Sequence, residues 1–163
     1  MTPEVSIIIV TYNPDSLLTE CLSSIAADTK QLESEIIIVD NASKNDVQAL
    51  IPPGLTNVRV VRNESNRGFA SANNQGLQLA AGRYALLVNP DVVLQSGAVD
   101  ALARYLDEHP EVGIVGPRTL DRDNGVALTA YPTYTPLFIL WQYLGFDRLF
   151  PSHIHGVYRN ACE

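Results

Sequence analysis

The chain has 163 residues, of which 46% are hydrophobic and 18% are charged, and this is the composition of an ordinary globular domain. It excludes a disordered, collagen-like or coiled-coil protein. Eleven Lys and Arg against eighteen Asp and Glu give a net charge of −7. Nucleic acid is therefore excluded as an expected partner, because phosphate neutralisation needs clustered cations. Cys21 and Cys162 form no CxxC motif, so a reducing, cytoplasmic compartment is expected.

The first forty residues predict a strand, a helix and a second strand. Val5 to Thr11 is β-branched and almost wholly apolar, which is typical of a central parallel strand covered on both faces. A helix with one apolar stripe follows, up to about Ala27. Asp15 or Ser16 is placed to accept from the free N–H groups of its first turn. Glu35 to Val39 predicts a second buried strand.

Strands and helices continue to alternate beyond this point. The remaining predicted strands are Val58–Val61, Tyr84–Val88 and Val112–Val115. The remaining predicted helices are a short one after Ser43, Phe69–Ala81 and Gly97–Glu108. Gly82 is the expected C-cap of the helix before it. The alternation predicts an α/β fold with a mainly parallel sheet and helices on both faces, and ligands bind such sheets outside the carboxyl ends of the strands.

The last third of the chain departs from this alternation. Leu128 to Tyr134 is predicted to be extended, and Pro136 to Phe150 holds the only Trp and three of the four Phe. The aromatic segment is too short and interrupted to span a bilayer. Covering the sheet, meeting a partner or second copy, and lying on a membrane all stay open for it. Burial against protein is favoured, since aromatic stripes are usually core.

Polar side chains stand where three of the predicted strands end. Thr11-Tyr12-Asn13 closes the first strand, Asp40-Asn41 the second and Asn89-Pro90-Asp91 the fourth. Such residues also suit turns, but three such ends at one sheet edge favour a ligand site. The absence of GxGxxG and GxxxxGK[ST] argues against dinucleotide oxidoreductases and P-loop enzymes. Without a glycine-rich loop, a cation must hold pyrophosphate, and Asp91 with Asn89 is the expected Mg²⁺ or Mn²⁺ site.

Four stretches, in this order and spacing, resemble the inverting GT-A glycosyltransferases of family 2, most closely their rhamnosyltransferase-like branch. They are VSIIIVTYN (Val5–Asn13), EIIIVDNASKND (Glu35–Asp46), NRGFASANNQG (Asn66–Gly76) and LLVNPDVVL (Leu86–Leu94). The resemblance implies a GT-A, Rossmann-like fold. It also implies that residues 1–118 form the donor-binding portion for a nucleotide sugar, and that 119–163 begin an acceptor-side portion.

The resemblance carries roles to individual residues. The implied nucleotide-binding residues are Thr11, Tyr12, Asn13, Asp40, Asn41, Arg67, Asn74 and Asn89. Asp40 would accept from the imide N–H of the base, which favours uracil or thymine over cytosine. Asn41 would lie near the ribose, Arg67 would contact phosphate, and Asn73 or Asn74 would face the donor. Simple packing of Asn73 and Gly76 is the alternative for that helix.

Asn89-Pro90-Asp91 occupies the place of the family's Asp-x-Asp motif, with an amide in place of the first carboxylate. The resemblance implies that Asp91 coordinates the metal bridging the diphosphate, which helps the nucleoside diphosphate to leave. Because one negative charge is lost, weaker metal affinity is expected than in Asp-x-Asp members.

The implied reaction transfers a sugar, with rhamnose a candidate, from a UDP- or dTDP-sugar to a glycan or lipid-linked acceptor with inversion. It belongs to surface polysaccharide biosynthesis, in the cytoplasm at the inner face of a membrane. Inversion needs a general base, which the family carries downstream, so it is expected beyond Glu163 and the chain alone is expected to be inactive. His153 and His155 lack a third ligand and are interpreted as loop histidines.

Two other functions are weighed against this one. A non-catalytic module of the same fold would bind a nucleotide sugar, or a partner through residues 136–150. A nucleotidyltransferase would carry a glycine-rich loop with Arg or Lys after the first strand, and TYNPDS lacks one.

Overall fold

The computed structural model describes residues 2–29, 32–120, 125, 140 and 143–144. The chain divides into two compact units, Met1–Val115 and Gly116–Glu163. All the strands and helices named below lie in the first unit. The donor-binding and acceptor-side roles assigned to 1–118 and 119–163 stay predictions.

The first unit is a parallel sheet with helices between its strands. The elements are β1 (Val5–Thr11), α1 (Ser16–Asp28), β2 (Ser34–Asp40), a 3₁₀ helix (Val47–Leu50), β3 (Val58–Arg62), α2 (Phe69–Leu79), β4 (Tyr84–Val88) and α3 (Ala98–Glu108). The strand order is β3-β2-β1-β4, and every pairing is parallel. The first four predicted strands and the α/β fold class are therefore confirmed.

The core lies on both faces of β1 and β2. All seven residues of β1 are buried, as expected for a central strand whose side chains point alternately to two covered faces. One core cluster includes Ile7 and Ile9 of β1, Ile36 of β2 and Leu22 of α1. The other includes Ile8, Val10, Ile37, Val39 and Ala72 of α2. Each buried isoleucine stabilises the fold by about 1.5–3 kcal/mol relative to an exposed one. The buried strands β1 and β2 therefore give a stable base to the residues that follow their carboxyl ends.

Helix α1 begins as the sequence predicts and ends by supporting α3. Asp15 is its N-cap and accepts a hydrogen bond from the Leu17 N–H over 2.9 Å. At the other end, the Asp28 carboxylate accepts from the backbone N–H groups of Gly97 and Val99. Gly97 is the N-cap of α3 and has no side chain to fill that role. Asp28 therefore caps a helix that is distant in sequence.

Two local predictions are wrong. Val112–Val115 is not a strand, since Ile114 is 92% exposed and the Val112 N–H turns back to the His109 carbonyl over 2.9 Å. A four-residue apolar run interrupted by a glycine forms no strand without a neighbour to pair its backbone. Helix α2 ends at Leu79 with Ala80 as its cap, so Gly82 is not the C-cap. Gly82 packs directly against β1 instead.

Several predictions fall outside the described residues. These are Leu128–Tyr134, most of Pro136–Phe150, His153, His155, Cys162 and Glu163. Within the aromatic segment, Leu140, Tyr143 and Leu144 are described and are exposed. Among the described residues, no helix combines the length and the hydropathy needed to cross a membrane.

Candidate functional site

The carboxyl ends of three strands lie side by side in register. Thr11 of β1 pairs with Asp40 of β2, and Asp40 pairs with Arg62 of β3. Because parallel strands end on one side, the polar residues that follow them gather at a single edge. This is the edge where parallel α/β sheets bind ligands.

A cleft lies between the loop after β1 and the segment after β4. Its volume is about 340 Å³, and it is lined by Thr11, Tyr12, Asn13, Pro14, Asp15, Leu17, Leu18, Asn89, Pro90 and Asp91. The structure therefore brings together the predicted residues of the first and fourth strand ends. Thr11 is 2% exposed, and its Oγ1 has no hydrogen-bond partner. A buried hydroxyl without a partner is costly, so this group is suited to meet a ligand.

The loop after β1 is locked to the loop after β2. The Asn13 N–H donates to Ser43 Oγ and the Lys44 N–H donates to Asn13 Oδ1, both over 2.8 Å. Asn45 Nδ2 donates to the Pro14 carbonyl over 2.7 Å. These three bonds form a clamp that holds Asn13 in the left-handed region, at φ 49°.

Two other residues of these loops stand out. Ala42 has a φ of 69°, a conformation that costs a non-glycine residue about 1–3 kcal/mol and that marks functional sites when it persists. Tyr12 lies next to the clamp with 53% of its surface exposed. An aromatic ring is thus presented to solvent on rigid backbone at the mouth of the cleft.

Asp40 is buried and its charge is balanced within the chain. The residue is 1% exposed, and its Oδ1 accepts from the Ser43 N–H over 2.9 Å. Its Oδ2 lies 3.6 Å from Arg62 Nε, and Arg62 Nη2 donates to the Ser43 carbonyl over 2.7 Å. A buried carboxylate needs such partners because an isolated buried charge is very costly. The predicted contact with a base stays a prediction.

The side chain of Asn41 makes four hydrogen bonds from a buried position, at 3% exposure of the residue. Its Nδ2 donates to Asn66 Oδ1 over 2.9 Å and to the Gly68 carbonyl over 3.4 Å. Its Oδ1 accepts from Asn63 Nδ2 over 3.1 Å and from the Arg67 N–H over 3.0 Å. Asn41 thus joins the end of β2 to the loop that leads into α2, and its predicted place near a ribose stays a prediction.

The predicted residues around α2 divide into exposed and packed ones. Arg67 and Asn74 are exposed, and neither is among the residues that line the cleft. Asn73 is buried and donates from Nδ2 to the Phe69 carbonyl over 3.1 Å. A Cβ on Gly76 would lie 2.4 Å from Ile8 Cγ2, so this glycine allows α2 to approach the sheet. Packing therefore accounts for Asn73 and Gly76.

The segment after β4 carries the predicted metal ligand, Asp91, which is exposed at the cleft. Within the described part of the chain, no group of three or more His, Cys, Asp or Glu is placed to hold a metal ion. The cleft does offer hard oxygen donors, namely the Asp91 carboxylate, the Asn89 amide and the unpartnered Thr11 hydroxyl. Mg²⁺ typically keeps several waters and uses one or two carboxylates together with substrate phosphates. The residues therefore fit a metal shared with an anionic ligand, rather than a closed protein cage.

Asn89 and Asp91 also affect a buried thiol behind the cleft. The Cys21 thiol lies 3.6 Å from the Asn89 carbonyl oxygen. Burial, followed by the negative charge of Asp91, raises the pKa of the Cys21 thiol to about 11. Cys21 is therefore a neutral core residue at physiological pH.

Sequence reasoning missed four residues of this edge, which are Ser43, Arg62, Asn63 and Asn66. Arg62 and Asn63 come directly after β3, just as the predicted residues come after the other strands. Applying the same rule to the third strand would have found both. Ser43 and Asn66 lie within loops, where no periodic pattern marks a partner.

The chain is similar in sequence to known glycosyltransferases. The family model for Glycosyl transferase family 2 matches residues 6–161. The chain is 33% identical over 141 residues to the uncharacterized glycosyltransferase YwdF of Bacillus subtilis, covering 83% of this chain and 49% of YwdF. It is 29% identical over 137 residues to the N-acetylglucosaminyl-diphospho-decaprenol L-rhamnosyltransferase of Mycobacterium tuberculosis, covering 77% and 44%. The chain thus spans less than half the length of these curated relatives.

Solved structures show the same fold. S. aureus TarS 1–349 in complex with UDP-GlcNAc superposes with a TM-score of 0.59 at 27% identity, covering 66% of this chain and 32% of that chain. This likeness confirms the GT-A, Rossmann-like α/β fold that the sequence resemblance implies. With the family model matching nearly the whole sequence, the chain belongs to glycosyl transferase family 2.

Proposed function

We propose that this chain binds the nucleotide-sugar donor, linked to UDP or dTDP, in an inverting sugar transfer. The observation that carries the proposal is the cleft between the loop after β1 and the segment after β4. It lies at the ligand-binding edge of a parallel sheet and contains a buried hydroxyl, Thr11 Oγ1, that has no protein partner. Thr11 and Asn13 border the nucleotide in this proposal.

The base would be recognised at the end of β2. An ionised carboxylate has about four lone-pair sites; the Ser43 N–H occupies one of those on Asp40, and Arg62 Nε is an ion-pair partner 3.6 Å away. Asp40 therefore keeps the capacity to accept from an imide N–H, which uracil and thymine carry and cytosine lacks. The exposed ring of Tyr12 provides an aromatic surface for the base at the same edge.

The diphosphate would lie between Asp91 and the loop that carries Arg67. Both the chain and the donor are anionic, so their association needs local positive charge. Asp91 with Asn89 would hold Mg²⁺ or Mn²⁺, which when bound supplies Lewis-acid stabilisation of the departing diphosphate. Arg67 would contribute a guanidinium to the phosphates, and Asn74 would face the donor from α2.

The sugar and the acceptor are proposed from relatives. The Mycobacterium tuberculosis relative is named for L-rhamnosyl transfer and for a diphospho-decaprenol-linked acceptor, which supports rhamnose and a lipid-linked or glycan acceptor. The TarS complex with UDP-GlcNAc supports a UDP-sugar. Surface polysaccharide biosynthesis in the cytoplasm, at the inner face of a membrane, follows from such an acceptor. Residues 136–150 would contribute a peripheral membrane contact or an oligomer interface.

A thermal-shift experiment tests the proposal. UDP and dTDP with Mn²⁺, at about a hundred times their Kd, stabilise a binding protein by about 2.7 kcal/mol, or about 5–10 °C in Tm for a chain of this size. CDP is the matched control and should give a clearly smaller shift. A folded protein whose Tm is unchanged by all three nucleotides would overturn the proposal. A nucleotide-insensitive, tight oligomer in light scattering would instead favour a partner-binding module.

A further inference from the structure

We infer that Asn41 is a positioning residue that does not itself touch the donor. Its buried amide, at the end of β2, fixes the backbone of the loop Asn66–Gly68 and thereby positions Arg67. The inference rests on the proposed function, in which Arg67 contacts the diphosphate. It assigns Asn41 a role through the loop rather than the direct ribose contact that the family resemblance implies.

The orientation of the Asn41 amide follows from its backbone partners. The Arg67 N–H can only donate, so the atom 3.0 Å away must be Oδ1. The Gly68 carbonyl can only accept, so the atom 3.4 Å away must be Nδ2. The two partners are consecutive residues of one loop; one is bonded to the oxygen and the other to the nitrogen of the same amide. A flipped side chain would lose both bonds.

The amide has no hydrogen-bonding capacity left for a ligand. A primary amide offers two N–H groups and two acceptor sites. Asn66 Oδ1 and the Gly68 carbonyl use the first pair, and Asn63 Nδ2 and the Arg67 N–H use the second. A ribose hydroxyl would have to displace one of these partners.

The loop itself needs this support. Gly68 has a φ of 80° and precedes α2 without a side-chain cap. Asn66 Oδ1 accepts both from Asn41 Nδ2 and from the Gly68 N–H, over 2.9 Å in each case. Arg67 lies between these two anchored residues with its side chain exposed. The bonds therefore fix the backbone and leave the guanidinium free to meet an anion.

Asn66 provides a matched pair of variants, because it is exposed and acts through one acceptor atom. Asn66→Asp keeps that acceptor, whereas Asn66→Leu removes it. We expect amide hydrogen exchange at Arg67 to be about tenfold faster in Asn66→Leu and unchanged in Asn66→Asp. The Arg67 N–H keeps its own partner, Asn41 Oδ1, in both variants, so faster exchange reports a loosened loop. Equal exchange in the two variants would overturn the inference.

Titration calorimetry with UDP and with uridine then separates positioning from contact. Asn41→Asp replaces the donor nitrogen with an oxygen. Both bonds to the loop, to Asn66 Oδ1 and to the Gly68 carbonyl, are then lost because an acceptor faces each acceptor. The substitution should lower UDP affinity about tenfold, with uridine affinity unchanged. Arg67→Ala should behave alike, and adding Asn66→Leu to it should cause no further loss. An equal loss of UDP and uridine affinity in Asn41→Asp would show direct ribose contact and overturn the inference. If the unmodified chain binds no UDP, the proposed function fails. Exchange at Arg67 in Asn41→Asp, which keeps Oδ1 for the Arg67 N–H and loses both amide donors, then decides the role of Asn41, and unchanged exchange would overturn the inference.

Discussion

Gly82 donates its backbone N–H to Ser6 Oγ over 2.8 Å, and a Cβ on Gly82 would lie 2.6 Å from the Ser6 nitrogen. Ser6 Oγ also donates to Glu35 Oε1 over 2.6 Å, and Glu35 Oε1 accepts from the Ala81 N–H over 2.8 Å. The turn between α2 and β4 is therefore bonded to both central strands. A glycine is required at position 82 because the backbone of this turn lies so close to the backbone of Ser6 that there is no room for a Cβ.

Gly82→Ala should accordingly lower the free energy of unfolding by about 2 kcal/mol or more, since a methyl group would force β1 and the turn apart. Urea denaturation followed by circular dichroism measures the change. Gly113→Ala is the matched control, because a Cβ there meets nothing within 4 Å, and it should change stability by less than about 0.5 kcal/mol. Equal stability of the two variants would contradict the packing.

Asp28→Ala should destabilise the chain by about 1–2 kcal/mol, because α3 loses the carboxylate that accepts from its first N–H groups. Chemical denaturation of the variant gives the loss. Glu108→Ala, at the other end of α3, removes an exposed carboxylate and should stay within about 0.5 kcal/mol of the unmodified chain. A harmless Asp28→Ala would mean that α3 does not depend on this cap.

Asp91→Asn tests the proposed metal ligand. In the unmodified chain Mn²⁺ should strengthen UDP binding, and the variant should lose about tenfold of affinity in the presence of Mn²⁺ because the charged oxygen donor is gone. Without metal, the two proteins should bind UDP alike in calorimetry. Asp100→Asn, an exposed carboxylate on α3, is the control and should keep the Mn²⁺ effect. Retention of that effect in Asp91→Asn would exclude Asp91 as the ligand.

Cys21 should make stability fall at alkaline pH. Burial and the Asp91 charge raise the pKa of its thiol from 9.0 to about 11, so the fold favours the neutral form. This stabilisation is complete below pH 9 and is lost as the pH rises from about 9 to about 11. Unfolding free energies measured across this range should decline more steeply for the unmodified chain than for Cys21→Ala. Parallel curves would show that the thiol does not titrate differently in the folded state.

Hydrophobic patterning predicted most of the fold. Val5–Thr11 is confirmed to the residue, because an unbroken β-branched run has few structures other than a buried strand. The end of α2 and the false strand at Val112–Val115 were missed for the opposite reason. The local structure at Gly82 and at Ile114 depends on which distant residues the backbone contacts. Local hydrophobic periodicity carries no information about such contacts.

The sequence predicted which strand ends form the candidate site. It did not predict the hydrogen bonds and ion pairs that connect the residues of the site. Grouping Thr11 with Asp91 needed only the rule that parallel strands end on one side. Finding Arg62 beside Asp40, or Asn66 beside Asn41, required contacts between residues 22 and 25 positions apart. Such pairs depend on tertiary structure, which a sequence pattern does not contain.

The clamp formed by Asn13, Pro14, Ser43, Lys44 and Asn45 determines how the cleft can adapt to an occupant. The three hydrogen bonds join the loop after β1 to the loop after β2, so the two loops form one rigid side of the cleft. In the opposite wall, Asn89–Asp91, the Asn89 carbonyl accepts from the Val92 N–H and from the Cys21 thiol behind it, and thiols are weak donors. We therefore expect an occupant of the cleft to shift the Asn89–Asp91 segment more than the two clamped loops.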